Sequence, residues 1–166
     1  MSRFSCAGPP VYRDGVDGGP RRDLLSGVGD PDDRGEPDVA LTAALAAYAD
    51  MPDARTEAAV LAALGGARLL VPVVAALGEA ETDPDGLVRD KSADMAAVLM
   101  RGRDGRTALL AFTGLESMRR WDPDARPVPV PAHVAAQAAL QDGAAALLLD
   151  VAGPVAYAAS VSVSAE

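Results

Sequence analysis

From Asp38 onward the apolar positions fall into short runs of different period. Leu41, Leu45 and Tyr48 recur at helical spacing behind Asp38, whose carboxylate can accept the first free N–H groups, and this predicts a helix over 39–49. Met51-Pro52-Asp53 breaks that helix and caps a second, in which Val60, Leu61 and Leu64 share a face and Gly65-Gly66 gives a stop. Residues 68–76 form a β-branched apolar run that predicts a strand. Pro72 inside it cannot donate to a ladder, so an edge position or a bulge is expected there. Residues 78–92 are an acidic stretch with a turn signal at Pro84-Asp85-Gly86. Residues 94–101 and 106–112 are two more strands around Gly102-Arg103-Asp104-Gly105, where an Asp-Gly pair between apolar runs signals a hairpin. Three consecutive strands make an antiparallel meander.

The pattern then changes to helices alternating with strands. Leu115, Met118 and Trp121 give a short helix an apolar edge, and Val128 and Val130 lie in a proline-interrupted strand over 126–131. A helix over 132–141 carries Val134 and Leu140, and Gly143 ends it. Residues 144–150 form an apolar strand, Gly153-Pro154 turns the chain, and Val155, Tyr157 and Val161 mark a last strand. Such alternation packs crossover helices onto the sheet that the meander starts. The expected class is α/β with α+β character: a mixed sheet, two short helices at its N-terminal side, and no internal repeat.

Residues 1–37 hold 7 Gly and 5 Pro, with charges scattered among few apolar positions. They cannot bury enough surface to offset their ordering entropy, so a disordered arm is expected, followed by one domain over 38–160 and a short tail over 161–166. Alanine supplies 34 of the 129 residues from Asp38 onward, so the core leans on Leu, Val and Met for buried area. The net charge of −9 argues against nucleic acid, which needs a Lys/Arg-rich face. The longest uninterrupted apolar run, 69–77, is too short for a bilayer, and the first residues lack the apolar core of a secretory signal. The lone Cys6 gives neither an intramolecular disulfide nor a zinc framework. A cytoplasmic protein follows as the expectation.

Several central segments are shared with a known family. Leu70-Val71-Pro72-Val73-Val74, Lys91-Ser92-Ala93-Asp94-Met95-Ala96 and Gly105-Arg106-Thr107-Ala108-Leu109 come first. Ala111-Phe112-Thr113-Gly114, Trp121-Asp122-Pro123-Asp124-Ala125-Arg126-Pro127-Val128-Pro129 and Leu149-Asp150-Val151-Ala152-Gly153-Pro154 follow in order. Over about 53–155 the chain resembles the SseB N-terminal domain family in its actinobacterial version. Gly114 departs from it, standing where a small hydroxyl residue is common, and the tail is short. The resemblance implies an α/β domain and supplies no catalytic residues, because the family is named for a serine-sensitivity phenotype, which does not identify a reaction.

The chemistry-bearing residues are few. The one histidine is His133 at a helix start, and a nucleophilic pair with Cys6 would need the arm to dock. Gly27-Val28-Gly29 lacks the third glycine and the preceding strand of a dinucleotide loop, and no Walker lysine or G-x-S-x-G elbow occurs. Asp30-Pro31-Asp32-Asp33-Arg34-Gly35 fails as a calcium loop: Arg34 takes a ligand position and Leu41 replaces the bidentate Glu. No cofactor, metal or catalytic residue is therefore assigned. Two sets remain as candidates. Arg119, Arg120 and Trp121, with Arg126 and the Gly153-Pro154 turn, suit a surface for a protein or a small anionic ligand. Asp94, Asp122 and Asp150 (with Asp124) lie at predicted element ends, where a pocket would serve acid–base work. Three readings stay open: a non-catalytic interaction module, an acid–base or ligand-binding domain, and a structural homodimer.

Overall fold

A computed structural model describes residues 32–76 and 94–162. The expected arm up to residue 31, the acidic stretch 78–92 with its turn, Cys6 and the end of the tail lie outside the described residues. Helix α1, Val39–Asp50, starts under Asp38, whose carboxylate accepts from Leu41 N at 2.8 Å. Helix α2, Ala54–Gly66, opens with a capping box in which Asp53 and Thr56 bond each other's backbone N–H. The Thr56 N–H holds the Asp53 carboxyl below its ordinary range. α2 buries Val60 and Leu64 but leaves Leu61 49% exposed, so Leu61 does not share the buried face the sequence suggested. The helix runs through the glycine pair and stops where Ala67 turns extended.

Among the described residues seven strands follow, with two more helices between them. β1 is Arg68–Ala76, β2 Asp94–Ala97, β3 Leu99–Arg101 and β4 Thr107–Ala111. Helix α3, Leu115–Trp121, leads to β5, Arg126–Pro131, and helix α4, Ala132–Gln141, to β6, Ala146–Leu149, and β7, Tyr157–Ser160. β1 pairs antiparallel with β2 and β5, giving the order β2-β1-β5, and the second sheet runs β3-β4-β6-β7. Within it β4 and β6 are parallel while β3 and β7 flank them antiparallel. The expected meander is present with one refinement: the 94–101 run breaks at Val98, so β2 pairs in one sheet and β3 in the other. The Asp-Gly hairpin forms, with Gly105 at φ +82 and Gly102 N donating to Arg106 O at 2.7 Å.

The sheets join at one antiparallel bridge. Leu70 N donates to Phe112 O and Phe112 N to Leu70 O, both at 2.8 Å. This contact explains Pro72. β1 is a central strand, not an edge, but N–H groups alternate in side along a strand. Pro72 therefore turns its missing donor to the flank of Leu70, in the gap between Phe112 and the β2 ladder, which begins at Val73. The same alternation applies to β5, whose Pro127, Pro129 and Pro131 face Pro72, Leu70 and Arg68. All three point their nitrogens to the outer edge, while Ala132, next in line toward β1, donates to Ala67 O at 3.0 Å. That edge offers no donor at alternate positions and resists pairing with another strand.

Side chains alternate between two cores. Leu69, Val71, Leu109, Ala111, Leu147 and Leu149 point to α1, α2 and α4. Leu70, Leu110, Phe112 and Leu148 point to the opposite face, where α3 supplies Met118 and a partly buried Trp121. α4 meets the sheet through Ala132, Ala135, Ala138 and Ala139, whose small size lets the helix lie close. Leucine and valine dominate the fully buried positions, as the alanine content requires. Tyr157 on β7 is buried edge-on against Tyr48 of α1, with ring centroids 5.3 Å apart.

Two predictions follow from this packing. Replacing Pro127 and Pro129 with threonine restores outward donors, so the variant should associate with rising concentration in light scattering while the wild type does not. Burial, and then the negative charges of Glu57 and of the Tyr48 phenolate, raise Tyr157 above its ordinary value of 10.0. The unfolded chain then loses this proton at lower pH than the folded chain. Stability that is complete below about pH 10 therefore declines as pH rises from there through the folded value. Urea midpoints should show this decline in the wild type and a smaller one in Tyr157→Phe.

Candidate functional site

The parallel strands β4 and β6 end together, with Ala111 opposite Leu149. Polar residues that follow such ends are brought to one rim of the sheet. After β4 the chain runs Phe112-Thr113-Gly114 into α3; after β6 it reaches Asp150. Asp150 is 7% exposed and adopts φ +49, the left-handed region that few non-glycine residues enter. Its N–H donates to Ala111 O at 3.1 Å and its carbonyl accepts from Gly153 N at 2.8 Å. A Cβ on Gly153 would stand 3.0 Å from Asp150 Cβ, so any side chain there would press on Asp150.

The bend aims the Asp150 carboxylate at the start of α3. Oδ1 accepts from Thr113 N at 2.9 Å and Ser117 Oγ at 2.7 Å; Oδ2 accepts from Thr113 Oγ1 at 2.6 Å. Ser117 Oγ also reaches Gly114 O at 2.9 Å, but it has one hydrogen, and the carboxylate contact is the shorter of the two. Three donors from the chain itself thus converge on one buried carboxylate. The set ties the two strand ends to α3. Neither Thr113 nor Ser117 stands out in the sequence, whose only hint is a pair of hydroxyls four residues apart opposite an Asp that ends an apolar strand.

The other acidic candidates sit elsewhere. Asp122 follows α3 and accepts from Asp124 N at 2.9 Å, closing a local turn. It is separated from the Asp150 contacts by a helix about 10 Å long. Asp94 opens β2 opposite Ala76. His133 is exposed at the start of α4. Among the described residues no group of three or more His, Cys, Asp or Glu is placed to hold a metal ion. No helix among them is long and apolar enough to cross a membrane.

The aromatic and basic candidates lie at the far end of α3. Trp121 is half-buried, its ring 5.7 Å from that of Phe112 and tilted by 34°. Arg119 and Arg120 occupy the last turn, where cations complement the helix dipole. Arg120 is ion-paired with Glu116 one turn back. Arg119 and Arg126 are exposed, and neither forms an ion pair with a described residue. Pro154 is exposed beside Gly153, on the Asp150 side of α3.

A second polar cluster was hidden in the segment expected to be an arm. Residues 33–37 pack against the β4–α3 loop, and a groove of ≈ 550 Å³ is lined by this segment, the start of α1 and Arg68. Arg68 pairs with Asp33 at 2.6 Å. Gly114 lies beneath this segment, where a Cβ would come 2.9 Å from Pro37 Cδ. This contact therefore leaves room only for a glycine at position 114.

A family model described as the SseB protein N-terminal domain matches residues 41–159. The chain belongs to this family. A search of curated proteins and a search of solved structures each give no match. The matched stretch contains both parallel strands, α3 and Asp150, so the carboxylate lock lies wholly inside the SseB domain.

Substitutions at Asp150 separate its two roles. Asp150→Ala loses the left-handed preference and strands the buried Thr113 donors, and should cost about 2–4 kcal/mol. Asp150→Gly restores the backbone freedom but not the acceptor, and should fall between alanine and wild type. Asp150→Asn keeps an acceptor and tolerates the bend, so about 1 kcal/mol is expected. Denaturant midpoints give the order; an alanine variant as stable as wild type would refute the lock.

Proposed function

We propose that this SseB domain is a non-catalytic interaction module of the cytoplasm. Its contact surface is the corner made by Trp121, Arg119, Arg120 and Arg126, extended along α3 to the Gly153-Pro154 turn. The observation that carries this reading is the half-exposed Trp121 braced on Phe112, in a stretch where the exposed Arg119 and Arg126 have no ionic partner among the described residues. A rigid aromatic flanked by arginines is a common anchor composition at protein interfaces, and such guanidiniums suit a carboxylate or phosphate. The partner is a protein with an acidic or phosphorylated surface, or a small anionic ligand.

The acid–base reading has weaker support. It needs Asp150 to exchange protons with a substrate, yet that carboxylate is buried and engaged by Thr113 and Ser117. A homodimer would use the same corner or the exposed apolar residues of α1 and α2, and sedimentation at several concentrations distinguishes it.

Affinity isolation with the full chain tests the proposal against Trp121→Ala and Arg119→Glu/Arg126→Glu. Losing a central aromatic anchor costs about 2 kcal/mol or more, so partners should be retained roughly thirtyfold less well. Folded variants that keep every partner would remove this surface from consideration. Saturable turnover of a small molecule would overturn the module reading itself.

A further inference from the structure

Residues 33–37 lie across the β4–α3 loop as a bound peptide would. The carbonyl of Gly35 accepts from Leu115 N at 2.7 Å, a donor that the start of a helix leaves without an intrahelical partner. Arg68 donates to Asp33 Oδ1 at 2.6 Å and to Glu36 O at 2.7 Å, while its other terminal nitrogen reaches Thr113 O at 3.2 Å. Asp33 Oδ1 also accepts from Gly35 N at 2.8 Å, which sets the turn. Gly35 takes φ +76, and a Cβ there would stand 2.7 Å from Leu115 Cβ. Both surfaces are reduced to glycine where they meet, at Gly35 and at Gly114. Yet the segment adds no residue to either core, and its bonds to the domain are polar. It can leave without opening the apolar interior.

We infer that Arg68, Thr113, Gly114 and Leu115 form a recognition face for an acidic turn peptide, which residues 33–37 occupy in cis. The partner that fits carries a carboxylate two residues before a glycine. That carboxylate meets Arg68, and the glycine carbonyl meets the Leu115 N–H. A short tether presents the chain's own segment at an effective concentration in the millimolar range, so a peptide in trans binds only by displacing it. The face is distinct from the Trp121 corner, which lies at the other end of α3, and stands or falls separately from it.

The test uses the full chain and a labelled synthetic peptide with the sequence of residues 32–38, followed by fluorescence anisotropy. Asp33→Ala/Gly35→Val removes the ion pair and places a side chain against Leu115, so it vacates the face. This variant should bind the peptide at least about tenfold more tightly than wild type, because a face that is mostly occupied has its apparent affinity reduced by the free fraction. Adding Arg68→Glu should abolish that binding. A folded double variant that binds no better than wild type would overturn the inference. Amide hydrogen exchange on the wild type provides a check that requires no variant. The Leu115 N–H should exchange through local opening, faster than the Leu70 and Phe112 N–H groups that join the sheets. Equal protection would make the segment an inseparable part of the fold and would also overturn the inference.

Discussion

The reciprocal pair of hydrogen bonds between Leu70 and Phe112 is the contact on which the rest of the SseB domain depends. Each sheet alone has few strands and would leave an apolar face open. Joined here and through Leu110 N to Val98 O at 3.0 Å, they act as one surface with helices on both sides. The bridge also places the functional candidates. Phe112 carries Trp121 on its ring, and Thr113, the next residue, meets the Asp150 carboxylate. Two residues before Leu70, Arg68 reaches the carbonyl of the same Thr113.

The two faces of the sheet are covered unequally, and the polar network compensates. Three helices cover one side, while among the described residues the seven-residue α3 covers the other. A helix that short has little stability of its own and must be held by its surroundings. Asp150 holds the first turn through Thr113 and Ser117, the Gly35 carbonyl takes Leu115 N, and Trp121 wedges the last turn against Phe112. A left-handed aspartate is costly, but three hydrogen bonds to one carboxylate offset that cost where a hydrophobic clamp would have no room.

Much of this order is legible in the chain. Asp38 and Asp53 announce their helices, Asp104-Gly105 its hairpin, and the apolar run before Asp150 its strand, because each signal acts within a few residues. What escapes depends on partners distant in sequence. The break at Val98 has no local mark, since the run on either side is apolar and only the arrangement of two sheets separates β2 from β3. Pro72 reads as an edge residue because the gap that accommodates it is set by Phe112, forty residues on. Trp121 is marked out by size and rarity, and its ring packs on Phe112. The Asp150 lock is not so marked, because Thr and Ser hydroxyls carry no periodic signal.

The segment 33–37 shows what composition leaves out. Its composition is rich in breakers and charge, and by that measure it has nothing to bury. It packs nonetheless, because its contacts are hydrogen bonds to groups the domain leaves open: the helix-start N–H of Leu115 and the guanidinium of Arg68. Composition measures the capacity for hydrophobic burial and is blind to docking of this kind. The same physics sets its limit. Held by polar contacts that water can replace, the segment gains little over its solvated state, and a ligand with the same donors and acceptors to satisfy can take its place.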